Sequence, residues 1–235
     1  KIMLKSVYQN GGFYIGKYET GIENAPKTDG DESTAPTEIP VIKQNAYPYN
    51  YVTCSQAQTI ASKLSTGKSY TSSLMFGIQW DLVCKYLEVK STLEAPDINS
   101  NSTSWGNYYN ASFEINRGKY AQNGALTTWY NYNTALENCV TYANGISTKV
   151  LASSSSNSIL LTTGASDACK KMNIYDLAGN VSEWTLEYTS TTYIPCAGRG
   201  GFCGIFGSDN PASCRVKART TGSGYDIGFR PSLYK

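Results

Sequence analysis

The run Asn-Ile-Tyr-Asp-Leu-Ala-Gly-Asn-Val-Ser-Glu-Trp-Thr, Asn173 to Thr185, opens the last third of the chain, which passes through Arg199-Gly200-Gly201 and closes on Ile227-Gly228-Phe229-Arg230-Pro231. Between these signposts the segment from Thr189 to Asp226 holds glycine and small residues without a helical or strand-like apolar period. It reads as loop and short strand held by a frame. The frame is therefore assigned to scaffold, and the irregular segment to function, because binding residues concentrate on loops that a rigid scaffold positions.

The remaining chain is consistent with a single domain over 1–235, with scaffold in 1–172 and the binding segment in 173–235. A net charge of +2 from interspersed basic and acidic residues leaves no footprint for nucleic acid. No apolar run approaches the roughly 18 residues of a membrane span, so membrane insertion is not expected either. Beginning at Lys1 without Met, the chain is compatible with a missing upstream segment. Seven cysteines (Cys54, Cys84, Cys139, Cys169, Cys196, Cys203 and Cys214) lack any Cys-x-x-Cys spacing, and histidine is absent. Zinc sites of the usual spacing and histidine-dependent mechanisms are thereby excluded, and no cofactor or metal is expected. The 19 tyrosines, with abundant Asn, Ser and Thr, suit a wet, aromatic binding surface.

Two helices and much loop are expected. Gly11 to Glu19, with Phe13, Ile15 and Tyr18, reads as a first strand, and Gly21 to Pro40 as a surface loop. Thr53-x-x-Gln56 is a capping box that starts a helix with Ala57, Ile60, Ala61 and Leu64 on one side and Gly67 past its end. A second helix spans about Ile78 to Val89, with Ile78, Leu82, Val83, Tyr86 and Leu87 as its buried side. Trp80 and Asp81 in it are assigned structural roles. Thr92 to Tyr142, rich in Asn, Ser, Tyr and Trp, reads as a long irregular insert, and Ile159-Leu160-Leu161 as a buried strand. The fold class is α+β, with helices packed on small, twisted antiparallel sheets.

The Tyr175-to-Thr185 run, the Arg-Gly-Gly and the terminal Gly-Phe-Arg together resemble the signature of the sulfatase-modifying-factor domain of the formylglycine-generating enzymes. Tyr14 to Thr20 is similar to that family's opening strand, so the resemblance spans nearly the whole chain; Gln79-Trp80 stands where the family holds a Glu-Trp pair. The resemblance implies a C-type-lectin-like fold. More closely, the chain resembles the variable, ligand-binding proteins of diversity-generating retroelements of bacteria and their phages, which use this fold without catalysis. In those proteins varied positions become NNY codons, which cannot encode Lys, Glu, Gln, Met or Trp. From Thr189 to Asp226 these five types appear once, at Lys217, where the chain's own rate would place about six. Glycine-rich loops are poor in several of them for ordinary reasons, which makes the depletion supporting rather than decisive.

Three functions follow from the resemblance. A copper-dependent oxidase of the formylglycine-generating type needs two cysteines separated by four residues after the Arg-Gly-Gly, and soft thiolates suit a cuprous ion. Cys203 and Cys214 are separated by ten residues, and neither aligns with the family pair when Arg215-Val216-x-Ala218-Arg219 is the anchor. The iron-dependent branch of the fold takes histidine ligands, which this chain lacks. A calcium-dependent lectin needs a dense acidic cluster, and Asp209-Asn210-Pro211 lacks acidic neighbours.

The third, a non-catalytic module that binds a protein or other surface ligand, fits the sequence best. The receptor-binding or adhesive surface it implies is extracellular, on a bacterium or a phage virion. The candidate contact residues are Tyr193, Cys196, Phe202, Cys203, Ile205, Phe206, Cys214, Val216 and Tyr225, with aromatics as rigid contact area. Trp184, Gly200, Gly201, Phe229 and Arg230 are assigned to scaffold. Arg199 and Arg230 are expected to hold loops by bonding carbonyls or pairing with acids such as Asp176 or Glu183.

Overall fold

A computed structural model describes residues 1–64, 69–123 and 125–235. It has four helices and six small sheets among those residues, an α+β architecture. Two helices were expected; α1 (Ile2–Asn10) and α4 (Ala95–Asn99) are additional. The α1 helix stops at Gly11, whose left-handed backbone (φ 81°) lets its N–H bond Val7 O. Pro96 lies in the first turn of α4, where a missing N–H costs nothing.

The capping box of α2 (Cys54–Ser62) forms as its sequence requires. Gln56 N donates to Thr53 Oγ1, and Thr53 N donates to Gln56 Oε1 at 2.9 Å. Ala57 and Ala61 are buried; the expected stop at Gly67 lies outside the described residues.

The third helix, α3 (Gly77–Lys90), has the expected extent and buries Val83 and Leu87 as expected, but the rest of its buried face differs. Trp80, Val83, Cys84 and Leu87 are buried, whereas Ile78, Leu82 and Tyr86 are exposed. Apolar residues surround this helix, so period alone does not choose a face. Trp80 decides it, because its Nε1 donates to Ala212 O at 2.8 Å and its ring packs with Trp105, Tyr108 and Leu177. Each such side chain contributes roughly 1.5–3 kcal/mol on full burial.

The strands are short. One sheet joins the two ends of the chain, with Pro231–Tyr234 between Tyr14–Ile15 and Thr71–Leu74. A four-stranded sheet carries the terminal segment in the order Val216–Ala218, Cys196–Arg199, Ser182–Thr185, Ile227–Phe229. Its last pair is parallel, the exception to the antiparallel rule that was expected. Against the face that bears Trp184 and Phe229, these two residues form a core with Tyr49, Val52, Leu74 and Ala57 and Ala61 of α2.

The stretch expected to be an irregular insert is not loop throughout. It holds α4 and the strands Phe113–Ile115, Lys119–Gln122 and Tyr130–Asn131, and it buries Trp105, Tyr108 and Tyr120. Strands of two to four residues are too short to display an alternation that could be read in advance. Ile159–Leu161 is the expected buried strand, paired with Lys119–Gln122. Among the described residues no helix is long and apolar enough to cross a membrane.

Candidate ligand-binding face

The frame is built around a buried arginine. Arg230 contacts Glu183 through Nε and Nη2, the latter at 2.7 Å from Oε1, and donates to Gly16 O and Tyr175 O at 2.8 Å each. Beside it, Asn180 Nδ2 donates to Glu19 Oε2 at 2.7 Å, and Gly164 N donates to Asp176 Oδ2 at 2.7 Å. Asp176 and Asn180 both adopt left-handed backbone (φ 57° and 63°), which short polar side chains tolerate. The Asp-Leu-Ala-Gly-Asn-Val-Ser-Glu run thus turns twice, pairing Glu183 with the guanidinium and leaving Asp176 within its field. Burial pushes Asp176 up to about 7, and it raises Glu19 and Glu183 as well.

A second arginine fastens the terminal segment to α3. Arg199, buried, donates from Nη1 to Glu187 Oε2 and from Nη2 to Asp81 Oδ1, both at 2.6 Å. Arg215 bonds the other oxygens of the same two carboxylates, which closes a ring of alternating charge. Arg230 thus takes the expected partner Glu183, while Arg199 takes Asp81 and Glu187 in place of Asp176 or Glu183. Gly200 and Gly201 follow in left-handed backbone (φ 87° and 73°); a Cβ would lie 2.8 Å from Leu177 O at the first and 2.4 Å from Asn210 O at the second. Only glycine fits there without displacing main chain.

From this anchor the irregular segment is pinned by its backbone. Tyr108 Oη donates to Gly200 O at 2.7 Å, Cys203 N to Asn180 O, Tyr109 N to Ile205 O, Ser102 N to Gly207 O, and Ala212 N to Ser102 Oγ. Farther on, Tyr51 N donates to Gly224 O, Asn50 Nδ2 to Tyr225 O, and Ser182 N to Asp226 O. The pins come from the stretch 95–110, from 50–51 and from the frame.

The expected contact residues divide into two groups. Tyr193 is 68% exposed, with Arg219 stacked 4.6 Å over its ring; Phe206 is 44% exposed and meets Tyr109 edge-on at 4.8 Å. Val216 is exposed on the edge strand. Phe202 and Tyr225 are half-buried and meet edge-on at 6.2 Å.

The other four turn inward. Cys203 is completely buried with Leu160 and Val181, and this overturns its assignment as a contact residue. Its N–H is tied to Asn180 O in the frame, so the chain enters the core at that point. Burial pushes its thiol up to about 12. Ile205, half-buried, packs on the α3 core, and half-buried Cys196 packs with Cys54 on the Trp184 core. Burial, and then the Cys196 thiol, push Cys54 up to about 12. Cys214 is half-buried, its thiol raised by burial against the opposing pull of the Gly200 main chain. All seven cysteines are free thiols. Among the described residues no three His, Cys, Asp or Glu side chains are placed to hold a metal ion.

Residues missed in the sequence complete a cleft of about 220 Å³ over the four-stranded sheet. Ser182, Trp184, Gly198, Val216, Ala218 and Ile227 share that face by strand alternation and register, and Phe202, Asn210 and Asp226 rise around it. The alternation within each short strand was the available signal, but the pairing that joins them was not in the sequence. No protein-family model and no curated protein sequence matches the chain.

Proposed function

We propose that this chain is a non-catalytic ligand-binding protein. In this reading it has the C-type-lectin-like fold of the formylglycine-generating type and is most like the variable proteins of diversity-generating retroelements. It serves as a receptor-binding or adhesive component on a bacterial surface or phage virion, and its ligand seats on the face formed between Tyr193 and Asp226. The observation that carries the reading is the division of labour in that segment. Its main chain is fastened by donors such as Tyr108, Tyr109, Ser102, Asn50 and Tyr51, while Tyr193, Phe206 and Val216 project outward. A backbone held by scaffold groups leaves the projecting side chains free to change without loss of fold, and rigid aromatics lose little entropy on binding.

The copper-oxidase reading gains nothing from the geometry. The family pair's segment places Cys203 sealed in the core against Leu160 and Val181, away from any surface that a substrate reaches.

Phe206→Ala is the direct test. Binding of the labelled protein to a panel of intact bacterial cells, scored by flow cytometry, should fall at least tenfold. The unfolding free energy should change by less than about 1.5 kcal/mol, because nearly half of the side chain faces solvent. A loss of about 3 kcal/mol or more would make Phe206 a core residue and remove the reading. A reverse-transcriptase gene beside the coding sequence, with an imperfect repeat of its terminal segment that differs at adenines, would support the diversification component independently.

A further inference from the structure

We infer that the cleft over the four-stranded sheet receives a lysine or arginine side chain of a protein ligand, with Asp226 as its counter-ion. This rests on the ligand-binding reading above and names the chemistry of what binds.

Asp226 is an unpaired carboxylate. Asp226 lines the cleft, yet among the described residues no side chain donates to it and no cation pairs with it. The cations of the neighbourhood are committed elsewhere. Arg199 and Arg215 belong to the ring with Asp81 and Glu187, Arg230 to Glu183, and Arg219 to the face and hydroxyl of Tyr193. Lys217 lies between Val216 and Ala218, so alternation directs it to the opposite face of the sheet. Burial raises the Asp226 carboxyl from its ordinary value, against the opposing pull of its own main-chain N–H, the mark of an anion short of solvent. An arriving cation would restore what desolvation removes.

The remaining lining suits a charged head on an apolar stem. Phe202, Val216, Ala218 and Ile227 supply apolar wall, and Gly198, without a side chain, leaves depth in the floor. Asn210 and Ser182 offer side-chain oxygens, for which no internal hydrogen bond competes among the described residues. The Phe202–Tyr225 pair adds aromatic surface of the kind that favours a cation. Lysine and arginine present this combination of alkyl stem and cationic tip.

The site is also preorganised. Asp226 O accepts from Ser182 N at 2.8 Å and Tyr225 O from Asn50 Nδ2 at 3.1 Å, so the main chain bearing the carboxylate is fixed before a ligand arrives. A Cβ at position 224 would lie 2.4 Å from Asp226 Oδ1; the glycine there leaves the carboxylate its place.

The test uses acetyl-arginine amide and its uncharged isostere acetyl-citrulline amide, titrated into the intact chain and followed by amide shifts of Ser182, Gly198, Val216 and Asp226. The arginine probe is expected to shift these resonances with at least tenfold higher affinity than the citrulline probe. Asp226→Asn should reduce the arginine probe to the citrulline level. Val216→Arg, on the exposed edge strand, supplies a tethered guanidinium and should block the probe even if Asp226→Asn fails to fold. Equal affinity of the two probes, or shifts that neither variant alters, would overturn the assignment. In the cell-binding assay, loss with Phe206→Ala but not with Asp226→Asn removes the cation claim alone; loss with neither removes the ligand face as well.

Discussion

Arg230 and Arg199 are both completely buried arginines, yet they sit in opposite electrostatic situations. Around Arg230 stand three carboxyl groups, Glu183, Glu19 and Asp176, and Asp176 Oδ1 has no partner. Around Arg199 the count balances, two acids against Arg199 and Arg215, and the ring opens to solvent through Asp81 and Arg215. The inner site therefore has to retain a proton near neutrality, while the outer one needs none. The inner site joins the first strand, the Asp176-to-Glu183 turn and the C-terminal strands; the outer one joins α3 to the segment that bears the face. One arginine closes the scaffold, and the other seats the binding segment upon it.

Arg230→Met should have the largest effect. It leaves three buried carboxyls without a cation and should lower the unfolding free energy by about 3–5 kcal/mol in urea denaturation. A change below about 1 kcal/mol would mean that the inner cluster does not hold the fold.

The proton at the inner site gives a second, intermediate effect. Glu19, Asp176 and Glu183 are all raised, first by burial, so the folded chain holds protons more tightly than the unfolded one. Their contribution is complete below the ordinary carboxylate range and is lost as pH rises through the folded values. Asp176, at about 7, brings part of that loss close to neutrality. Unfolding free energy should therefore fall by a few kcal/mol between about pH 4 and pH 7. Asp176→Asn, which keeps an acceptor for Gly164 N and tolerates the left-handed backbone, should flatten much of that slope; an unchanged slope would place the proton elsewhere.

The outer ring should yield the smallest effect. Arg215 is 48% exposed, so Arg215→Ala should cost no more than about 1 kcal/mol, and less in high salt. A cost near that of Arg230→Met would erase the distinction between the two centres.

Much of the scaffold could be read from the chain itself. Thr53 and Gln56 announce the start of α2 because capping acts between residues three apart. Ile159 to Leu161 reads as buried because three consecutive branched apolar residues have no solvent-facing alternate. The spacing places Val83 and Leu87 of α3 correctly, but it cannot choose between Ile78, Leu82 and Tyr86 on one side and Trp80 and Cys84 on the other, since both continue a regular apolar stripe. Within the irregular segment, Phe202 to Phe206 has no period, so nothing local separates buried Cys203 from exposed Phe206. The candidate site was therefore legible as a segment but not as a set of side chains.

The sequence by itself determined what neighbours in the chain decide. That includes the cap of α2, the absence of histidine chemistry, and the division into frame and irregular segment. Only the tertiary structure decided that Asp81 meets Arg199 across 118 residues, and that Asp226 reaches a cleft with every nearby cation already engaged. Helix and strand periods are written in local spacing, whereas a charge pairs with whatever the closed fold brings within a few ångströms. That choice leaves no trace along the chain.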